Sequence, residues 1–202
     1  MSGLRERQKN ARRAVITNAA KLVFETKGFE ATTIDQIAEQ AGVSPPTITN
    51  YFPGGKQEIL VSLLRMPEER VVTAHRNALA EVSDPLNAFC ELSLLVAESQ
   101  LQAMPPALWR EIGPILLSSE LTHVLQTWHD TVITHVEYIL EHFKARGLLN
   151  PDLDSLFTAT FVNDCLSLSF LRLVTSEKPD IASYRDYVRR VFEIFFNGLI
   201  KR

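Results

Sequence analysis

TTIDQIAEQAGVSPPTITNYF, residues 32–52, reads as two short helices hinged at Gly42. Thr33 stands three residues ahead of Gln36, the spacing of a capping box, in which each residue satisfies a backbone amide of the other. Ile34, Ile37, Ala38 and Ala41 then form one apolar face. Gly42 falls where a helix ends in a left-handed conformation that a side chain would oppose, and Val43 plugs the corner. Ser44 is placed to cap a second helix. Pro45 and Pro46 occupy its first turn, where missing N–H groups cost no helical bond. Ile48 faces inward, while Thr47, Thr49 and Asn50 line the exposed side. Small hydroxyl and amide groups so placed reach base edges and methyls in a major groove.

The pattern continues on both sides. Upstream, RRAVITNAAKLVFETKGFEATT spaces Ile16, Ala19, Ala20, Val23 and Phe24 along one helix face before Gly28 and Phe29. Downstream come Tyr51, Phe52, Lys56 and Leu60. Across about the first 65 residues the chain resembles the TetR family of one-component transcriptional regulators. The resemblance implies an all-α fold: a three-helix head with a DNA-binding helix-turn-helix (residues 8–65, motif 33–52), then a helical ligand-binding and dimerisation body (66–202). It further implies a homodimer on a palindromic double-stranded DNA operator, most often as a repressor, responding to a small and largely apolar effector. Carried onto this chain, the DNA-facing set is Thr33, Ser44, Pro45, Pro46, Thr47, Thr49, Asn50, Tyr51 and Lys56, with Tyr51 and Lys56 on phosphates. Two departures stand out. Thr49 replaces the aromatic Tyr usual in the recognition helix, and Gly54-Gly55 adds one residue before Lys56. They motivate the rival reading of a helical small-molecule carrier or interaction protein with a degenerate head.

The formal net charge of −3 over 202 residues argues against nucleic acid when taken whole. Its distribution argues the other way: residues 5–21 hold six bases against one acid, a local charge of about +5. Residues 61–202 hold 13 bases and 18 acids. Phosphate contacts need local positive potential, which an acidic body does not remove, so the basic run is expected to be an arm against a nucleic-acid backbone.

Helical periodicity marks residues 8–28, 33–40, 45–50, 57–82, 85–103, 106–113, 118–146, 153–176 and 181–200. Breaks are expected at Asp84-Pro85, Pro105-Pro106, Gly113-Pro114, 147–151 and Lys178-Pro179. Pro67 falls inside the fourth helix and is expected to kink or split it at the junction of head and body. The last two helices carry more apolar residues than one face needs. Phe157, Leu168, Leu171, Val188, Phe192, Phe195 and Phe196 are the candidates for a two-fold, four-helix interface.

Met104, Trp109, Leu125, Trp128, Phe161, Asn163 and Asp164 are candidates to line an effector cavity, the last two because they interrupt the apolar FVNDCLSLSF. His135 and His142 align on one helix but stand about 10 Å apart along its axis, so no metal site is expected. Cys90 and Cys165 lack metal-ligand spacing and read as buried, reduced thiols. No cofactor-binding motif and no catalytic arrangement is present, so an enzyme is not expected. No stretch reads as long and apolar enough to span a bilayer, and no secretory leader opens the chain. A cytoplasmic location with no membrane partner is expected.

Overall fold

The helical spacing is realised throughout the residues that the computed structural model describes, 2–116 and 122–197. In chain order the elements are α1 (Ser2–Lys27), α2 (Ile34–Ala41), α3 (Pro45–Tyr51), α4 (Gly55–Glu81), α5 (Pro85–Ala103), α6 (Pro106–Leu116), α7 (Thr122–Ala145), α8 (Ser155–Thr175) and α9 (Ile181–Asn197), with no strand among the described residues. Three boundaries depart from the sequence-based expectation. First, α1 begins at Ser2 rather than 8, because Leu, Arg, Glu, Gln and Lys, all good helix formers, dominate its opening turns. Second, α4 is one helix from Gly55 to Glu81 and is not split at Pro67. Third, α6 runs through Gly113-Pro114 to Leu116. A proline removes one amide bond of the ladder, and the bonds on either side carry these helices across it. Positions 118–121 and 198–200 of the expected helices lie outside the described residues.

Two compact units result, one built from residues between Met1 and Met66 together with those between Ala103 and Leu125, the other from Pro67–Gln102 and the remainder. In the first, Ile16, Ala20, Phe24, Phe29, Ile37, Ile48, Phe52 and Leu60 are fully buried, with Phe24 and Phe29 in ring contact at 5.2 Å. The unit also holds α6. Glu111 Oε1 accepts a hydrogen bond from the Glu30 amide at 2.9 Å, fastening α6 to the loop between α1 and α2. Gly28 lies beneath that carboxylate with φ +79, and a Cβ there would stand 3.0 Å from Glu111 Oε2.

In the second unit Phe89 is the hub, with ring centroids at 6.3 Å from Phe143, 5.8 Å from Phe192 and 5.8 Å from Phe196. The Ser93 and Tyr184 hydroxyls, both buried, bond at 2.7 Å and join α5 to α9. Helix ends are finished by side chains. Arg146 donates to the Ala80 and Val82 carbonyls at the end of α4, Asp154 accepts from the Phe157 amide at the start of α8, and Asp180 accepts from the Ala182 and Ser183 amides at the start of α9. Such caps satisfy groups that a helix leaves orphaned. They also hold the Asp180 carboxyl below its usual range, the Ser183 hydroxyl bond being the largest cause and the two amides next.

One expectation is corrected. Helix α8, 21 residues long with a window of mean hydropathy 1.2, is long and apolar enough to cross a membrane by length and composition alone. The reason is visible in its packing: one side supplies the core through Ala159, Val162, Phe170 and Val174, while Leu156, Phe157, Phe161 and Leu168 are exposed on another.

The two left-handed glycines of the head separate two costs. Gly42, with φ +64, has nothing within 4 Å of an added Cβ, so Gly42→Ala should cost about 1 kcal/mol from backbone strain alone. Gly28→Ala carries the same strain and also pushes the Glu111 carboxylate by a few tenths of an ångström, straining its bond to the Glu30 amide. Chemical denaturation should show the larger loss for Gly28→Ala. Adding Glu111→Ala to it should then cost less than Glu111→Ala does alone; equal costs would show that the two sites are not coupled.

Candidate nucleic-acid interface

Helices α2 and α3 form the expected turn. Thr33 Oγ1 accepts from the Gln36 amide at 3.3 Å and Gln36 Oε1 accepts from the Thr33 amide at 3.1 Å, a complete capping box. Gly42 closes α2 with φ +64 and ψ 37, and the Val43 amide reaches back to the Ala38 carbonyl at 3.0 Å. Ser44 stands at the N-cap of α3, yet its hydroxyl caps nothing. Pro45 and Pro46 carry no amide hydrogen, and the Thr47 amide already bonds the Ser44 carbonyl at 2.9 Å. The Ser44 hydroxyl pairs with the Thr47 hydroxyl instead, at 2.9 Å.

Pro46, Thr49 and Asn50 are exposed, Pro45, Thr47 and Tyr51 are half-buried, and Ile48 and Phe52 are buried. Thr49 Oγ1 leans back on the Pro45 carbonyl at 3.4 Å. The far end of α3 is held from α1: Arg13 donates to the Tyr51 carbonyl, pairs with Glu58 at 3.3 Å, and lies 4.0 Å over the Phe52 ring.

The helix-turn-helix lies inside a match to the family model "Bacterial regulatory proteins, tetR family" covering residues 16–63. The HTH-type transcriptional regulator EthR of Mycolicibacterium smegmatis is 36% identical over 193 residues, 93% of this chain and 86% of EthR. The chain belongs to the TetR family. The HTH-type transcriptional regulator RutR of Escherichia coli K12 is 34% identical over 133 residues, 64% of this chain. The chain spans 62% of RutR and 40% of another curated relative that it matches. Among solved structures, Thermus thermophilus FadR, a TetR-family transcriptional repressor in complex with lauroyl-CoA, superposes with a TM-score of 0.74 over 94% of this chain and 96% of that one, at 23% identity. That likeness shows the TetR fold.

Lys56, the second expected phosphate contact, is engaged by backbone carbonyls of the chain itself. Its ammonium donates to the carbonyls of Glu30 at 2.9 Å, Phe29 at 3.0 Å and Thr32 at 3.3 Å, and it lies 4.7 Å from the Phe29 ring centroid. An ammonium has three protons, and these three carbonyls take them. The added glycine contributes: Gly55 adopts φ +65 and the Gly54 amide bonds Glu58 Oε2 at 2.9 Å, so α4 starts with Lys56 turned toward the loop between α1 and α2.

The cavity candidates fall in both compact units. Met104 and Trp109 are buried in the unit that contains the TetR-type head, whereas Phe161, Asn163 and Asp164 belong to the other. Phe161 is 43% exposed and stacks on Phe195 at 5.5 Å, Asp164 is exposed and Asn163 is buried. The side chains of Leu125 and Trp128 lie outside the described residues. His135 meets Thr73 and Arg76, and His142 meets Glu81 at 3.0 Å, so the two histidines face separate partners.

The association candidates divide as well. Phe157 is 69% and Leu168 56% exposed, but Val188 and Phe192 are each 1% exposed and face the chain's own core. Phe196 joins them against Phe89, while Leu171 and Phe195 are half-buried. Leu156, Tyr187 and Ile194, which belong to the same apolar surplus of the last two helices, are exposed as well. The signal for the outward stripe is the helical spacing of Phe157, Phe161 and Leu168. Cys90 is buried as expected, whereas Cys165, expected to be buried too, is only half-buried; desolvation raises the pKa of both thiols. At Cys90, Glu193 and Asp84 add to that rise and Arg189 opposes it; at Cys165, Asp164 adds to it.

Lys56→Gln should destabilise the protein by about 1 kcal/mol, because the part-buried Phe29 and Thr32 carbonyls lose a charged donor; a melting curve identical to wild type would remove Lys56 from the role of clamp. Both thiols should alkylate more slowly at neutral pH than a free cysteine and speed up as pH rises, since a raised pKa lowers the thiolate fraction. Mass spectrometry of iodoacetamide-treated native protein reads this directly, and fast labelling at pH 7 would contradict it.

Proposed function

We propose that this TetR-family protein is a homodimeric transcriptional repressor acting in the cytoplasm. It would bind a palindromic operator through α3 of each protomer and release it on binding a largely apolar effector. Residues 8–65 serve as the DNA-binding head and 66–202 as the ligand-binding and dimerisation body; no catalysis is assigned. The observation that carries the reading is α3 itself, fixed by the Gly42 turn at one end and by Arg13 at the other, with Thr49 and Asn50 exposed between. Thr47 stands at the edge of that face. Tyr51 is retained as a backbone contact, Thr33 and Ser44 as the residues that open the two helices.

Two further observations support the finer parts. The exposed stripe of Phe157, Phe161 and Leu168 on α8, beside Tyr187 and Ile194 on α9, is an apolar surface of the kind a second copy covers. The effector class is suggested by structural neighbours: T. thermophilus FadR was solved with lauroyl-CoA and Bacillus subtilis FadR with stearoyl-CoA. The acyl chain of such a ligand is the apolar part that the proposed effector requires, so long-chain acyl-CoA, whose carrier is charged, is the first class to test. Coupling of about 1–3 kcal/mol between effector and operator would suffice for a switch. It would act on two α3 helices that sit roughly 35 Å apart on DNA.

Gel shifts with DNA flanking the protein's own gene should show specific binding that long-chain acyl-CoA weakens about 5- to 150-fold. Binding that no acyl-CoA alters would reject the effector class, and absence of specific binding at low salt would reject the regulator reading in favour of a carrier. On a bound site, Thr47→Ala should change base discrimination, whereas Tyr51→Phe should weaken all sequences alike. Light scattering should report a dimer for the wild type and a monomer for the Phe157→Glu, Leu168→Glu variant; a dimer in both would move the interface elsewhere.

A further inference from the structure

We infer that α1 carries a second DNA-contacting surface, a basic ridge of Arg5, Lys9 and Arg12 that grips the sugar-phosphate backbone beside the bases met by α3. The inference rests on the DNA-binding reading above and adds to it a surface outside residues 16–63, the span that the family model matches. Three observations carry it.

The first is the overhang. Helix α1 starts at Ser2, yet its buried positions begin only at Ile16 and Thr17; residues 3–12 are all exposed. More than two turns of helix therefore extend past the packed part of the head without a partner in the chain.

The second is the face. Arg5, Lys9 and Arg12 follow one another at spacings of four and three, which aligns them on one side of a helix over about 10 Å. Four and seven residues beyond Arg12 and Lys9, that same side reaches Ile16, fully buried against the rest of the head. It also passes Arg13, four beyond Lys9, whose guanidinium is seated on the Tyr51 carbonyl and the Phe52 ring at the end of α3. The ridge is thus the continuation of the side of α1 that meets α3, and where that side runs out of protein to cover its chemistry changes from apolar to cationic. Arg7 lies on the opposite side of the helix.

The third is the shortage of other donors near α3. Pro45 and Pro46 remove two of the amides with which a helix N-terminus ordinarily holds a phosphate, and the Thr47 amide is taken by Ser44. Lys56 spends its protons on carbonyls, and Arg13 spends its guanidinium on Tyr51 and Glu58. Among the described residues, Arg5, Lys9 and Arg12 are in no hydrogen bond or ion pair, so their charge is available to a polyanion. Each phosphate neutralised releases condensed counterions, which makes the contact measurable through salt.

The test is fluorescence anisotropy of the full-length protein on a labelled random-sequence duplex across a salt series. The Arg5→Gln, Lys9→Gln, Arg12→Gln variant should reduce the slope of log affinity against log salt by about 2 to 3 for each protomer bound. Arg7→Gln should leave it unchanged. All four positions are exposed, and unchanged circular dichroism melting of each variant checks that folding is intact. A wild-type slope in the triple variant, or an equal change from Arg7→Gln, overturns the ridge while leaving the DNA reading in place. Failure of the wild-type protein to bind duplex at low salt overturns both. Co-sedimentation of wild type but not the triple variant with phosphatidylserine vesicles, alongside an unchanged DNA slope, assigns the ridge to a lipid surface and likewise overturns the proposal.

Discussion

A helix of seven residues does not hold itself together. Nucleation costs more than so few backbone bonds return, and α3 has that handicap; the two prolines in its first turn are tolerated there but add no backbone bond. Its existence depends on what surrounds it: Ile48 and Phe52 sunk into the core, a left-handed glycine that sets its entry, and the Arg13 guanidinium on its last carbonyl. Burial of two large side chains supplies a few kcal/mol, and the cation at the C-terminal end opposes fraying. The conformation presented to solvent by Thr49 and Asn50 is therefore a property of α1, α2 and α4 as much as of α3.

The parts legible in the sequence are those governed by local rules. The capping box at Thr33 and Gln36 and the turn at Gly42 depend on a few neighbouring residues, and both stand as the spacing predicts. The parts that were not legible depend on partners distant in the chain. Ser44 is a good capping residue whose cap has no amide to serve, because prolines follow it. Lys56 finds carbonyls more than 20 residues away, which no local pattern announces. On α8 and α9 the apolar surplus was readable, but its allocation was not: periodicity places Val188 and Phe192 on one face without saying whether that face meets the chain's own core or solvent. The cavity candidates are distributed over both compact units, an allocation that residue type and periodicity do not encode.

The two-sided character of α8 shows how one composition serves two demands. Core burial on one side and an exposed apolar stripe on the other make the helix as hydrophobic as a membrane span. A second protein copy and a bilayer are both apolar phases, and composition does not distinguish them. Continuity of α4 across Pro67 is a related case. The boundary between the two compact units falls at Met66 and Pro67, within the span of α4, where a proline in the sequence suggested a break.

The paired prolines at the start of α3 have a consequence for how such a protein changes over time. If anchorage to the polyanion is lodged mainly on α1 and base reading on Thr47, Thr49 and Asn50, the two properties are encoded in largely separate stretches of the gene. Substitutions at positions 47, 49 and 50 can then explore new operators without loosening the grip on DNA. A helix that supplied both its own phosphate-holding amides and its reading side chains would leave less room for such drift.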